Sequence, residues 1–325
     1  MAESNSERQR ALLRRLMQWL GPFLALLLVM GLFAVLLPDR FLSSYNLRTV
    51  ATQTVIVGLG ALGMTFVIIS GGIDLSVGST IALSSVVTAL LLRDGHGPLL
   101  ALLSALLAGA AVGLCNGLLI TRARIVPFIV TLGTMGIARG LAKYLADEQK
   151  VNAPAAGLGS LMAKLPEPSW LLLSPGVWAL LVLAALSAML LSRTVFGVHT
   201  YAIGSNESTA RLCGVPVERR KLVIYTLAGL FAGLAGALQF ARLTVGDPTT
   251  ALGKELDVIA AVVIGGGSLA GGSGGVLGSL LGAFLMAVLA NGCTLTGVPN
   301  YVQEILVGAI IIVAVAVDRY RHARP

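Results

Sequence analysis

Charge is what this chain has least of. Asp, Glu, Lys and Arg make up 12% of its 325 residues, against 56% hydrophobic residues and a mean hydropathy of +0.88. A soluble domain carries about 25% charged residues. Too little polar surface is therefore present to solvate a globule of this size, and the solvent for most of the chain is lipid. Histidine is scarce too: His96, His199 and His322 all fall in connections or the tail. A membrane enzyme needs a cluster of His, Asp, Glu or Ser on its helices, so the chain does not read as an enzyme. Cys115, Cys213 and Cys293 lack metal-ligand spacing and read as small buried residues plus one loop thiol. No Gly-x-x-x-x-Gly-Lys-Ser/Thr phosphate loop occurs, since the single Gly-Lys pair, Gly253-Lys254, is followed by Glu255. A transporter of this sequence driven by ATP needs its motor on another polypeptide.

What is present is a series of continuous apolar runs. Barrel strands alternate apolar and polar residues, so strands are a poor reading and an all-α, polytopic helical bundle is expected. A spanning helix needs about 20 apolar residues. That length predicts about ten spans, at 19–37, 49–69, 77–92, 99–120, 125–142, 176–191, 222–240, 256–269, 276–291 and 301–317. Two of them are short, flanked by glycine clusters, and read as broken or re-entrant. The polar, basic start, residues 1–18, precedes a long apolar run with no A-x-A-like cleavage site, which reads as an uncleaved first membrane helix. The result is one membrane domain, 19–317, between tails 1–18 and 318–325.

Loop charges orient it. With the N-terminus inside, the segments 1–18, 121–124, 192–221 and 318–325 hold 14 of the 23 Lys and Arg residues and 5 of the 15 Asp and Glu. That satisfies the positive-inside rule, with both termini cytoplasmic, and explains the net charge of +8 without nucleic acid. The longest inner connection, about 193–221, and the longest outer one, 143–174, are both too short for a catalytic domain.

Glycines recur at four-residue spacing: Gly109, Gly113 and Gly117; Gly229 and Gly233, with Ala232 and Gly236 beside them; and Gly274, Gly278 and Gly282. Such stripes let helix backbones touch. A faint internal echo links residues 67–72, Val-Ile-Ile-Ser-Gly-Gly, with 262–267, Val-Val-Ile-Gly-Gly-Gly. It suggests duplicated halves with interrupted helices in matching places. Polar residues within the spans are few: Gln53, Thr54, Thr65, Asn116, Thr131, Thr134, Gln239, Asn291 and Glu304. Most serve helix packing by hydrogen bonds; Gln53, Asn116 and Asn291 are the candidates for lining a solute path.

The strongest local motif is Gly71-Gly72-Ile73-Asp74-Leu75-Ser76-Val77-Gly78-Ser79. Two glycines break a helix, Asp74 and Ser76 offer capping oxygens for the next, and an aspartate at such a break is a functional hypothesis by default. Gly71, Gly72, Asp74 and Ser76 are accordingly the candidate gating motif; the plainer reading is a helix cap near the cytoplasmic surface.

This motif resembles the signature of the permease subunits of ABC monosaccharide importers, of the ribose, xylose and arabinose type. Matching stretches continue at Ala202-Ile203-Gly204-Ser205-Asn206-Glu207, Ala210-Arg211, Gly214-Val215, Arg219-Arg220-Lys221, Tyr225, Gly229, Ala232-Gly233, Ala235-Gly236 and residues 264–275. The resemblance runs from about Phe41 to Val317 and is specific to the family, not to one sugar. It implies a sugar path through a bacterial inner membrane, a second permease copy (identical or related), a separate ATPase subunit holding ATP and Mg, and a periplasmic sugar-binding protein carrying most of the selectivity. That protein would meet the outer loops near Asp39-Arg40, 143–174 and 242–257. It also implies that Asn206, Glu207, Thr209, Ala210, Arg211 and Gly214 form a short surface helix that docks on the ATPase; the plainer reading is a basic loop on inner-leaflet lipid. An ion-coupled secondary transporter of a small polar solute is the alternative, though Asp74 and Glu304 make a thin proton relay.

Overall fold

The structure is a computed structural model that describes residues 21–322. The tail 1–18 and the start of the first expected span lie outside the described residues, as do 323–325 of the C-terminal tail. The described residues fold as thirteen α-helices in order: α1 (Gly21–Leu36), α2 (Pro38–Phe41), α3 (Ser44–Ile69), α4 (Val77–Arg93), α5 (Pro98–Thr121), α6 (Pro127–Leu145), α7 (Pro175–Arg193), α8 (Val195–Ser205), α9 (Glu207–Leu212), α10 (Val217–Leu243), α11 (Lys254–Ile264), α12 (Val276–Leu295) and α13 (Asn300–His322). One small antiparallel ribbon pairs β1 (Val151–Asn152) with β2 (Val245–Gly246). Proline opens α2, α5, α6 and α7, where its missing N–H costs nothing.

Burial separates the helices by role. The apolar stretch of α3 is 94% buried, whereas that of α5 is 22% buried. A helix that is apolar and buried all round is the centre of a membrane bundle. On α5 the glycines and the leucines divide the circumference: Gly109, Gly113 and Gly117 are buried, while Leu99, Leu103 and Leu107 stand exposed. An apolar outer surface of this kind is natural only against lipid.

The buried faces meet through glycine. A Cβ at Gly113 would overlap the Tyr225 carbonyl of α10, and one at Gly109 would lie 2.7 Å from Gly233 Cα and overlap the Gly229 carbonyl. The α5–α10 contact is therefore backbone against backbone, as the glycine spacing predicts. Hydroxyls add cross-links: Thr65 Oγ1 of α3 donates to Ser279 Oγ of α12 at 2.7 Å, and Ser84 Oγ of α4 to the Ala105 carbonyl of α5 at 3.1 Å.

Three segments depart from the sequence expectation. The expected span 256–269 stops at Ile264, so α11 rises about 16 Å, half of a hydrocarbon core of about 30 Å. The consecutive glycines Gly265, Gly266 and Gly267 end it, with Gly266 at φ +89. The expected inner loop 193–221 is helical over most of its length, as α8, α9 and the first turn of α10; α8 is too short to register in a search for apolar runs of about 20 residues, and charge masks α9 and the start of α10. The connection 143–174, expected on the outer face, is tied to the α10–α11 connection by the β1–β2 ribbon and a Lys150–Asp247 ion pair at 3.4 Å, and Arg139 of α6 holds that second connection by donating to the Pro248 and Thr250 carbonyls at 2.8 and 2.7 Å.

Gly113→Leu must therefore push α5 off α10, at about 1–3 kcal/mol or more, and will lose most of the monodisperse protein recovered in detergent. Gly133→Leu on α6, where a Cβ meets nothing within 4 Å, will elute like the parent. Equal recovery of the two variants contradicts the packing described.

Candidate functional site

Three glycine-containing segments converge at one end of the bundle: the α3–α4 connection 70–76, the end of α8, and the α11–α12 connection 265–275. The first and third explain the internal echo. After α3, Gly71 N–H donates to the Ile68 carbonyl and Gly72 N–H to the Val67 carbonyl, both at 2.9 Å; after α11, Gly266 donates to Val263 and Gly267 to Val262, again at 2.9 Å. Both are Schellman caps with a left-handed glycine at C′, Gly71 at φ +78 and Gly266 at φ +89. The sequence similarity is thus a repeated capping device. The two caps are also neighbours, since Gly272 N–H donates to the Ile69 carbonyl at 2.9 Å.

Gly204, at the end of α8, is pressed into this junction. A Cβ there would overlap the Ile69 carbonyl and stand 2.6 Å from the Gly272 nitrogen, and a Cβ at Gly271 would stand 2.6 Å from the Gly204 carbonyl. No side chain lies between the three backbones. Tyr201, one turn earlier, donates to the Gly274 carbonyl at 2.8 Å. Three residues beyond Gly204, α9 begins.

The coupling candidates build α9 itself. Asn206 is its N-cap: Oδ1 accepts from Thr209 N–H at 2.9 Å and from Ser208 Oγ at 2.7 Å. Glu207 pairs with Lys221 at 2.6 Å and with Arg211 at 3.3 Å, and Arg211 also pairs with Glu218. These pairs hold the Glu218 carboxyl below its ordinary range, chiefly through the Arg211 hydrogen bond. Ala210 is buried against Ile203 and Val217. Gly214, at φ +82, closes the helix with another Schellman cap, in which Val215 N–H reaches the Ala210 carbonyl at 3.0 Å. The short helix expected over these residues is present; the α8 helix that delivers it was not anticipated.

The gating candidates sit on the other side of the junction. Asp74 Oδ1 accepts from Ser76 N–H at 2.8 Å and Ser76 Oγ at 2.6 Å. The carboxylate thus closes a turn, and Ser76, although at the N-cap position of α4, makes no side-chain cap bond of its own. Burial pushes the Asp74 carboxyl above the usual carboxylate range, against the downward pull of the two Ser76 bonds. Ser76 Oγ accepts from Asn116 Nδ2 at 3.0 Å, and Asn116 Oδ1 accepts from Thr134 Oγ1 at 2.7 Å. A chain of hydrogen bonds runs from α6 through α5 to the turn. Gly72 has no room for a Cβ because the Tyr225 hydroxyl of α10 occupies that place.

The path candidates separate. Asn116 is fully buried in the network just described. Asn291 is buried with Oδ1 lacking a hydrogen-bond partner among the described residues. Gln53 lines a cavity at the opposite end of the bundle, with Gln239, Arg242, Asp257 and Gln303. No cluster of three or more His, Cys, Asp or Glu able to hold a metal occurs among the described residues. The sequence marked Gly204 only as part of a family-matching stretch and Thr134 only as one of the few polar residues in the spans, and it singled out Tyr201 not at all.

Comparison with known proteins shows the family of the chain. A family model described as "Branched-chain amino acid transport system / permease component" matches residues 46–315. The ribose import permease protein RbsC of Bacillus subtilis (strain 168) is 42% identical over 98% of this chain and 98% of its own length. The L-arabinose ABC transporter permease protein AraH of Azospirillum brasilense is 36% identical over 93% of this chain and 88% of its own. The D-allose transport system permease protein AlsC of Escherichia coli (strain K12) is 34% identical over 92% and 91%. No solved structure matches the chain.

Asn116→Ala removes two buried hydrogen bonds that join α6 to the turn, at about 0.5–1.5 kcal/mol each, while Ser76 keeps its bond to Asp74 and Thr134 its bonds to the Val130 and Thr131 carbonyls. The thermal unfolding midpoint of the purified protein will fall, while Cys115→Ala, at an exposed neighbour, will leave it in place. An unchanged midpoint for Asn116→Ala would show that the network contributes nothing to the fold.

Proposed function

The chain belongs to the branched-chain amino acid transport system permease family, and from that premise we propose that it is the membrane subunit of an ATP-binding cassette importer of a monosaccharide such as ribose. The family description names amino acids, but the relatives that match nearly end to end carry sugar names: ribose, L-arabinose and D-allose. The more complete match supports the sugar. The chain is a transport subunit and not an enzyme; a partner ATPase binds ATP and Mg and performs the hydrolysis.

The observation that carries the mechanism is the position of α9. It projects from the bundle with exposed charges, yet its root at Gly204 bears directly on the end of α3 at Ile69 and on the α11–α12 connection at Gly271 and Gly272. In our reading the ATPase receives α9, and closure of the nucleotide sites displaces it. Gly204 passes the displacement to the α3 cap and to the α11–α12 connection, and the turn at Asp74 and Ser76 shifts with the α3 cap. The excess of basic residues in the segments expected inside supports a cytoplasmic α9 and cytoplasmic termini at the bacterial inner membrane. A sugar-binding protein then delivers solute at the opposite end. A second permease copy completes the path, and lipid covers the leucine-rich outer faces.

The test is uptake of radiolabelled D-ribose into proteoliposomes holding this permease, its ATPase and its binding protein. Uptake will require ATP and survive a protonophore; uptake that collapses with the proton gradient while ATP is constant would favour the ion-coupled alternative. Arg211→Glu will lower ATP-driven uptake by roughly 5- to 150-fold, the usual range of a coupling energy, with normal membrane insertion. Its ion pairs are exposed and of little weight in folding. Undiminished uptake and undiminished ATPase stimulation in this variant would remove the coupling role of α9.

A further inference from the structure

At the end of the bundle opposite α9, helices α3, α10, α11, α12 and α13 enclose a cavity of approximately 210 Å³. Its wall is unusually rich in hydrogen-bonding groups for a bundle this apolar. Gln53, Gln239 and Gln303 bring carboxamides from three separate helices, Arg242 adds a guanidinium, and Lys254 and Asp257 contribute an ion pair at 2.6 Å. Gln53 lies about 24 Å along α3 from the junction at Ile69, by helix rise.

Internal packing does not account for these groups. Gln239 gives one N–H to Thr250 Oγ1 at 2.8 Å. The side chains of Gln53, Gln303 and Arg242 have no hydrogen-bond or ion-pair partner among the described residues. Elsewhere in the bundle polar side chains such as Thr65 and Asn116 are satisfied by neighbouring helices. Gln53 and Gln303 are half-buried and Arg242 is exposed, so these groups face the cavity and are free to pair with a ligand there.

We infer that this cavity is a binding station for a neutral polyhydroxylated solute, made within a single permease chain. A carboxamide offers a carbonyl acceptor and an N–H donor side by side, and so does a pair of neighbouring sugar hydroxyls. Arg242 supplies donors and Asp257 an acceptor. The inference rests on the importer function proposed above and goes beyond it: the permease holds the sugar itself during transfer, and selectivity is not left wholly to the external binding protein.

Gln53→Leu and Gln303→Leu test this, because both side chains are half-buried and neither has a partner within the chain to lose. In proteoliposomes with the ATPase and saturating D-ribose-loaded binding protein, the affinity of the binding protein no longer limits uptake. The ribose carried per ATP hydrolysed will then fall by roughly threefold to tenfold in each variant, the weight of one or two lost hydrogen bonds, and Gln303→Asn will restore part of it. An unchanged ratio in both Leu variants overturns the station. So does a parallel fall of uptake and hydrolysis, which marks the residues as structural. If the parent protein takes up no sugar with ATP, the importer reading itself fails, and the station fails with it.

Discussion

The rest of the structure depends on one contact: the backbone of Gly204 against the backbones of Ile69 and Gly272. Side chains in a packed contact can change rotamer and absorb a displacement. Three backbones in van der Waals contact cannot, because nothing between them is free to turn. The root of α9 is therefore joined without slack to the end of α3, the most buried long helix, and to the connection that follows α11. Even a small movement of α9 must move the α3 cap and that connection or break the contact. That is the property a transmission needs when the energy arrives from another chain.

Lipid as solvent explains why the two ends of the bundle are built differently. Without a hydrophobic drive between helices, association rests on close backbone approach and interhelical hydrogen bonds, and the α5–α10 glycine seam and the Thr65–Ser279 bond supply both. At the α9 end polarity is mostly backbone and is satisfied locally by caps. The hydrogen-bond chain from Thr134 through Asn116 and Ser76 to Asp74 ties the turn to α5 and α6. At the far end the polarity is in side chains that the fold leaves open. One end is a rigid junction and the other a polar chamber, with α3 running between them.

Much of this was legible in the sequence. The membrane class followed from charge scarcity, the bundle from continuous apolar runs, and the glycine seam from four-residue spacing at Gly109, Gly113 and Gly117. The cap of α9 followed from Asn206 and the residues after it. What stayed hidden has physical reasons. Helix α8 lies between an apolar span and a charged turn, so no hydropathy boundary marks it. That a short, glycine-flanked span such as 256–269 is broken was legible; its end at Ile264 was not, because it depends on Gly266 adopting a left-handed conformation. Asn116 and Gln53 look alike as isolated polar residues in apolar helices; only the neighbours show that one is consumed by packing and the other faces a cavity. The contact of Gly204 with Ile69 joins residues far apart in sequence, and a glycine advertises no partner.

The central claim is that α9 and the glycine connection after α11 move as one body. Spin labels at exposed Ser208 on α9 and Ala270 in that connection, in a background lacking Cys115, Cys213 and Cys293, report it directly by pulsed dipolar spectroscopy of the assembled transporter. The account predicts the same Ser208–Ala270 separation with and without ATP, while the separation from Ala270 to a label at Thr249, at the far end, changes. A Ser208–Ala270 separation that shifts with nucleotide would contradict it, because α9 would then be moving independently of the junction it is said to drive.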